Sequence, residues 1–170
     1  MNTDTLQKSD GIEIIDADIS DAEEILSLQK LCYRENAERI GDYGIPPLTQ
    51  TGEEMRAEFS SHTVLKIETE GRIIASVRAH ESDMLCHIGK LIVHPDYRRR
   101  GLGSKLMREI ERRFPAVKAY SLFTGSKDTG NLILYEKHGY SRIDERKISD
   151  RLTFVYLMKQ NNGRREKIYV

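Results

Sequence analysis

Apolar and polar positions alternate with two different periods along the first third of the chain, which predicts both strands and helices. Residues 12–15 alternate with the period of two that is typical of a strand. Residues 20–23 form a capping-box pattern, and the apolar spacing that follows predicts a first helix from about Asp21 to Tyr33. The glycines and prolines within residues 35–50 indicate a loop. A second capping box at residues 51–54 predicts a short helix.

A three-stranded meander is predicted in the middle of the chain. Its strands are Val64–Glu68, Arg72–Ala79 and about Leu85–Val93. The first two are joined by a tight turn at Glu70 and Gly71. In the third strand, Ile88 lies three residues before Leu91, which is out of phase with a period of two. This slip predicts a β-bulge near Gly89.

The last third of the chain alternates between helix and strand patterns. An apolar stripe predicts a helix that begins near Gly101 and is stopped by Pro115. The remaining predicted elements are a strand at 119–124, a helix at 129–138 that ends at Gly139, and strands at 140–148 and 152–159. This order predicts a single α/β (α+β) domain with a mixed sheet flanked by helices.

Length and composition narrow the classes of protein that fit. The 170 residues suit one domain, which we place at 11–159 between a flexible lead at 1–10 and a basic tail at 160–170. The 27 basic and 27 acidic residues balance, which argues against a nucleic-acid partner. No apolar run has the length of a membrane span, so no membrane partner is expected. Cys32 and Cys86 match no metal-ligand spacing, which favours a cytoplasmic setting and no metal.

The turn between the third meander strand and the next helix has the features of a phosphate site. Gly101 and Gly103 let a ligand approach the unpaired amides of the first helical turn, where the helix dipole is positive. Three arginines at 98–100 add positive charge. The residues match neither the Walker nor the Rossmann glycine pattern. Taken alone, these residues slightly favour an exposed basic turn over a phosphate site.

Two spaced motifs resemble those of one family. Val93-x-Pro95-x-x-Arg98-x-x-Gly101-x-Gly103 is similar to the pyrophosphate loop of the GNAT-type N-acetyltransferase superfamily. About forty residues later, the stretch from Asn131 through Tyr135 to Gly139-Tyr140 resembles its second motif. The resemblance extends from about Ile12 to Met158. It implies a mostly antiparallel sheet whose bulged fourth strand splays from its neighbour, with acetyl-CoA bound in the gap.

The resemblance also implies which residues hold acetyl-CoA. The main chain of the bulged strand would pair with the pantetheine arm, and an amide near Leu91 would polarise the thioester carbonyl. The amides of about 99–104 would bind the pyrophosphate, and Asn131 would bind the cofactor arm. The expected cofactor residues are Leu91, Ile92, Val93, Arg98, Arg99, Arg100, Gly101, Leu102, Gly103, Ser104 and Asn131.

The catalytic residues implied by the resemblance are Tyr135 and His87. Tyr135 would give its proton to the departing thiolate; the alternative is an ordinary helix aromatic. His87 stands where relatives often carry a carboxylate base, so either it accepts the proton of the amine or it is a plain strand residue. His80, Glu81 and a water chain remain alternatives. Cys86 is adjacent to His87 on a strand and points to the other face, so we expect no Cys–His dyad.

The implied reaction is direct transfer of acetyl from acetyl-CoA to a primary amine of a small molecule or a protein. A non-catalytic acyl-CoA-binding or sensor module with the same fold is the alternative. The acceptor pocket is expected at residues 33–51, with Tyr43, Ile45, Pro46 and Pro47, and at the turn 144–151. Acidic residues in the first segment, Glu35, Glu38 and Asp42, either attract an amine or form a solvated face. A homodimer is a candidate assembly.

Overall fold

The computed structural model describes residues 11–163, so the predicted lead and residues 164–170 of the predicted tail lie outside it. The strands are β1 (Ile14–Asp16), β2 (Thr63–Thr69), β3 (Arg72–Ser82), β4 (Leu85–Val93), β5 (Ala119–Gly125), β6 (Ser141–Lys147) and β7 (Thr153–Gln160). The helices are α1 (Ala22–Ile40), α2 (Pro46–Thr49), α3 (Gly52–Glu58), α4 (Leu102–Arg113) and α5 (Thr129–Lys137). Short 3-10 turns occupy Ile19–Asp21 and Pro95–Tyr97.

All seven strands form one sheet in the order β1-β2-β3-β4-β5-β7-β6. Every neighbouring pair is antiparallel except β4 and β5, which run parallel. This arrangement confirms the predicted α/β fold with a mixed, mostly antiparallel sheet flanked by helices. Strand β7 continues to Gln160, one residue beyond the predicted end of the domain.

The sheet has a hydrophobic core on each face. Helices α4 and α5 pack on one face, where Leu106 and Ile110 meet Leu65 of β2. Helices α1 and α3 pack on the other, where Ile25 meets Val64 of the same strand. Because successive side chains of a strand point to opposite faces, the apolar run of β2 supplies both cores.

Helix α1 is longer than predicted. The loop expected for residues 35–50 is wrong for its first part, because the helix runs to Ile40 and ends at Gly41 in a left-handed conformation with φ 70°. No glycine or proline interrupts residues 34–40, and Ala37 is fully buried.

The predicted first capping box is also wrong. Asp18 caps a 3-10 turn ahead of the helix, whereas the second predicted box, at Thr51, is present.

The predicted bulge lies at residues 90 and 91 of β4. Gly89 pairs with Arg78 and Ile92 pairs with Ser76, so two residues of β4 stand opposite the single residue Val77. Lys90 has a φ of 51°, which places the irregularity at that residue. Beyond the bulge, the side chains of β4 that would have pointed to one face of the sheet point to the other. Ile88 therefore belongs to the α4 core and Ile92 to the α1 core.

Within residues 11–163, no helix has the length and apolar character that crossing a membrane requires.

A buried arginine joins the sheet to the three N-terminal helices. Arg78 of β3 is 3% exposed, and its Nε lies 2.5 Å from Oε2 of Glu58. Its other nitrogens donate to Oε1 of Gln29 at 3.0 Å and Oε1 of Gln50 at 3.3 Å. Gln29 in turn donates to the carbonyl oxygen of Pro47 at 2.9 Å. This network fixes α1, α2 and α3 over the centre of the sheet.

Removing one charge of this network should destabilise the fold more than removing both. We expect Arg78→Met to lower the free energy of unfolding by about 3–5 kcal/mol, because Glu58 then lacks its counter-charge in a largely buried place. The double variant Arg78→Met with Glu58→Gln should recover most of that loss. Urea unfolding followed by circular dichroism measures both. A single variant within about 1 kcal/mol of the parent would contradict the role assigned to the network.

Candidate active site

A gap opens between β4 and β5 where their pairing stops. The two strands pair only at Leu85, Cys86 and His87 of β4, and the rest of β4 has no β5 partner in the described residues. The N–H of His94 donates to the carbonyl of Ile74 on the β3 side. Because alternate residues direct their N–H groups to opposite edges, the N–H groups of Leu91 and Val93 face the gap.

A large cleft of about 740 Å³ begins at this gap and continues to the N-terminus of α4. The end of β4, the loop before α4, one side of α1 and the start of α5 line it. The predicted cofactor residues along its wall are Leu91, Ile92, Val93, Arg98, Arg99, Gly101, Leu102, Gly103, Ser104 and Asn131. The fold therefore brings ten of the eleven predicted cofactor residues to one cleft.

The N-terminus of α4 is open to a ligand in this cleft. Gly101 has a φ of 78°, a left-handed conformation that favours glycine, and no side chain caps the helix there. The first intrahelical bond is from Lys105 N to Gly101 O, at 3.1 Å. The amides of residues 102–104 consequently have no partner within the helix, and the positive end of the helix dipole coincides with them. Such a terminus fits an anionic group.

The three arginines before α4 differ in position. Arg98 lines the large cleft, but its Nη1 donates to Glu35 at 2.7 Å and its Nε to the carbonyl of Val93 at 3.1 Å. Arg99 lines the cleft in a left-handed conformation. Arg100 is not among the lining residues; it stacks over the ring of Tyr97 and donates to the carbonyl of Asp96. Arg98 thus mainly fixes the loop.

A small cleft of about 210 Å³ adjoins the large one. It lies between the C-terminal half of α1, the gap-facing sides of β4 and β5, and the turn between β6 and β7. The residues common to both clefts are Tyr33, Asn36, Arg39, Leu91, Lys127, Asp128 and Asn131. The two clefts therefore meet beside the backbone of Leu91.

Tyr135 lines the small cleft, one helical turn after Asn131. It is 6% exposed, and its ring packs edge-on against Tyr140 with 6.1 Å between ring centroids. Burial raises the pKa of the Tyr135 hydroxyl well above its usual value of 10. The phenol therefore keeps its proton at neutral pH.

His87 lines neither cleft among the described residues. Its ring stacks on that of His80 with 5.0 Å between centroids, and His80 packs edge-on against His62. Burial lowers the pKa of His87, so the ring favours its neutral form. His80 and Glu81, the other residues weighed as bases, also lie outside both clefts. Within residues 11–163 no group of three or more potential ligands forms a metal site.

The cysteines lack the setting of a nucleophile. Cys86 is fully buried, lies outside both clefts and belongs to the α4 core. Burial raises the pKa of its thiol to about 12. Cys32 lines the large cleft, but its Sγ donates to the carbonyl of Val93 at 3.4 Å, and burial raises its pKa as well.

Part of the expected acceptor region lines the small cleft. Ile45, Pro46 and Pro47 do so, as does Arg151 from the turn before β7, whereas the exposed Tyr43 does not. Arg151 Nη1 donates to the carbonyl of Gly41 at 2.6 Å and so joins the two segments that were expected to form the pocket. The two segments are therefore adjacent, and their role as the acceptor pocket stays a prediction.

The sequence predicted no specific role for five residues at the junction of the clefts, although three of them lie within the expected acceptor segment 33–51. They are Tyr33, Asn36 and Arg39 of α1, and Lys127 and Asp128 before α5. The spacing of three residues along α1 places the first three on one face, but the helix was predicted to end at Tyr33. Asp128 Oδ2 accepts hydrogen bonds from Asn131 at 2.9 Å, Thr124 at 3.2 Å and Asn36 at 3.4 Å.

The chain is similar to one bacterial protein over part of that protein's length. It is 26% identical over 123 residues to the UPF0157 protein YqkA of Bacillus subtilis (strain 168). That match covers 72% of this chain and 35% of YqkA, so the chain spans about a third of the length of that relative.

Solved structures with this fold include two described as N-acetyltransferases. One is the PaiA N-acetyltransferase of Thermoplasma acidophilum in complex with coenzyme A, with a TM-score of 0.74, 15% identity and coverage of 88% of this chain and 98% of that one. The other is the ribosomal-protein-S18-alanine N-acetyltransferase of Escherichia coli, with a TM-score of 0.74, 14% identity and coverage of 94% and 99%. At these identities the likeness establishes the fold.

The sequence profile described as Acetyltransferase (GNAT) family matches residues 22–140. That range contains α1, the bulged strand, the N-terminus of α4 and the helix that carries Tyr135. Because the profile covers most of the domain and the fold agrees with it, this chain belongs to the GNAT family of acetyltransferases.

Proposed function

We propose that the chain transfers the acetyl group of acetyl-CoA to a primary amine by direct attack. The observation that carries the proposal is the junction of two clefts beside Leu91. One cleft has the open helix terminus and the strand edge that suit acetyl-CoA, and the other has room for an acceptor. Residues that line either cleft would then lie near the same bond, the thioester of acetyl-CoA.

The large cleft suits acetyl-CoA as the donor. The amides of Leu102–Ser104 and Arg99 would hold the pyrophosphate, and the gap-facing main chain at Leu91 and Val93 would pair with the pantetheine arm. Asn131 lines both clefts and would bind the arm near its thioester end. When bound, acetyl-CoA supplies an acetyl group activated as a thioester.

Direct attack needs one new bond and one broken bond. The neutral amine nitrogen of the acceptor bonds to the acetyl carbon as the carbon–sulfur bond breaks, and the N–H of Leu91 would stabilise the negative charge on the carbonyl oxygen. The sulfur leaves with the bonding electrons, and Tyr135 would give it a proton. Solvent then returns a proton to Tyr135. The attacking nitrogen loses one proton to solvent, which balances the proton returned to Tyr135, so the neutral amine and acetyl-CoA give the N-acetylated amine and free CoA thiol.

The acceptor enters as an ammonium ion and must lose a proton before it attacks. In our proposal the carboxylate of Asp128 accepts it, because Asp128 lines both clefts and is the one carboxylate on the wall of the small cleft in the described residues. The role predicted for His87 stays a prediction, and it would require water molecules to link its ring to the small cleft.

The size of the small cleft favours a small-molecule amine over a folded protein segment, although a protein amine also remains within the proposal. A cytoplasmic setting and a homodimer stay predictions. The first rests on two free, buried cysteines and the second on the resemblance alone.

The proposed function is tested by release of CoA thiol from acetyl-CoA with a broad panel of amines. We expect amine-dependent release, together with an acetylated product of matching mass. Binding of acetyl-CoA, seen as a rise in Tm, without amine-dependent release across the panel would favour the non-catalytic module and contradict transfer.

With a good acceptor, Tyr135→Phe should lower kcat about tenfold to a thousandfold, because the thiolate loses its proton donor. The thiol pKa of ~8.5 keeps the loss from being larger. The KM for acetyl-CoA should change less than about threefold, since Tyr135 lies on the wall of the small cleft. Tyr156→Phe, at a half-buried β7 tyrosine outside both clefts, is the matched control. An unchanged kcat for Tyr135→Phe would remove Tyr135 from the mechanism.

A further inference from the structure

The small cleft is strongly basic, although the chain as a whole has no net charge. Its wall carries Arg39, Lys90, Lys127 and Arg151 but only one carboxylate, that of Asp128. The whole chain has 27 basic and 27 acidic residues, so the excess is a local property of this cleft. A cleft of this charge attracts anionic groups and repels polycations.

Asp128 marks the end of the cleft where the amine must react. It lines both clefts, its Oδ2 is held by three neutral donors, and its Oδ1 lies 4.0 Å from Nη1 of Arg39. Arg39 and Lys127 also line both clefts. The negative charge and two of the four positive charges therefore lie at the junction.

Lys90 and Arg151 line only the small cleft, Lys90 next to Leu91 and Arg151 at the turn between β6 and β7. Arg151 donates one N–H to the carbonyl of Gly41, so the other N–H groups of its guanidinium can bind a ligand. Lys90 lies over the ring of Tyr33, 5.6 Å from its centroid, and burial lowers its pKa. Within residues 11–163 neither side chain has a carboxylate within 4.0 Å.

The rest of the small cleft is mainly apolar. The apolar residues on its wall include Ile40, Ile45, Pro47, Ile88, Phe123 and Phe154. Lys90 is half-buried beside this surface without a carboxylate partner in the part of the chain that the structure describes, so its charge is costly there and a ligand anion would offset that cost, whereas Arg151 is exposed and free to meet the anion from solvent.

We infer that the acceptor carries an anionic group on the same molecule as its primary amine, with an apolar part between or beside them, and that Arg151 recognises the anion while the charge of Lys90 adds to the attraction. A carboxylate matches the planar donor fork of arginine, so an amino-acid-like acceptor is the class that fits best. The amine end would then lie toward Asp128 and the anionic end toward the β6–β7 turn. This inference rests on the proposed function and narrows its acceptor.

The test compares acceptors in pairs that differ in the anion, with kcat/KM expressed per concentration of free amine: L-leucine with L-leucinamide, and O-phosphoethanolamine with ethanolamine. We expect kcat/KM to be at least about tenfold higher for the anionic member of a pair, as a charge-assisted hydrogen bond would give. A preference only for O-phosphoethanolamine over ethanolamine would support an anionic acceptor whose anionic group is a phosphate. A preference for leucinamide, ethanolamine or the polycation spermidine would overturn the inference.

Arg151→Gln should raise the KM for the anionic acceptor at least about tenfold and leave the KM for acetyl-CoA within about threefold. Arg151→Lys should recover part of the loss, because the charge is restored. Arg146→Gln, on the same hairpin but paired with Asp144 and outside both clefts, is the matched control. An equal loss for leucine and leucinamide would show that Arg151 is structural and would overturn its role.

A binding readout separates this inference from the proposed function. In the presence of CoA, leucine should raise the Tm of the chain more than leucinamide does, whether or not acetyl is transferred. If amines are acetylated but the uncharged member binds and reacts better, this inference fails and the proposed function stands. If the anionic member binds but no thiol is released from acetyl-CoA, the proposed function fails and the charge preference stands.

Discussion

The site depends on one extra residue in β4. Because Lys90 and Leu91 together oppose Val77, the strand reverses its facing, and pairing with β5 ends three residues before the bulge. Beyond its last pair with β5, the main chain of β4 therefore faces a gap instead of a neighbouring strand. A sheet edge with unpaired N–H groups inside a folded domain is unfavourable unless something pairs with them. A ligand with amide groups of its own, such as a pantetheine arm, is suited to that edge.

Other parts of the fold keep the gap open and form a binding surface at each of its ends. At one end the left-handed Gly101 begins α4 without a side-chain cap, so the helix offers its first amides to the large cleft. At the other end the network around Arg78 holds α1 over the sheet, and the length of α1 brings Tyr33, Asn36 and Arg39 to the junction. The same helix ends at Gly41, whose carbonyl binds Arg151 and joins the far hairpin. One helix therefore forms a wall of both clefts.

Local sequence patterns predicted the features that depend on neighbours along the chain. The out-of-phase spacing of Ile88 and Leu91 located the bulge, and the glycines at 101 and 103 located the helix terminus. Features that depend on distant contacts were missed. The predicted end of α1 at Tyr33 is too early, because the glycines and prolines that indicate a loop begin only at residue 41 and residues 34–40 have none. Nothing in the sequence near Asp128 indicated that Thr124, Asn131 and the distant Asn36 would surround its carboxylate. His87, which the resemblance implied by its place on the fourth strand, stacks on His80 and lines neither cleft.

The most direct test of this account is amide hydrogen exchange at the bulged strand, measured by NMR with and without CoA. Exchange at Leu91 and Val93, whose N–H groups face the gap, should slow by at least about tenfold on binding. Exchange at Ile92, whose N–H faces β3, should change little and serves as the internal control. If CoA binds and shifts the amide signals of Leu102–Ser104 while exchange at Leu91 and Val93 is unchanged, the gap does not hold the cofactor arm, and the account is contradicted.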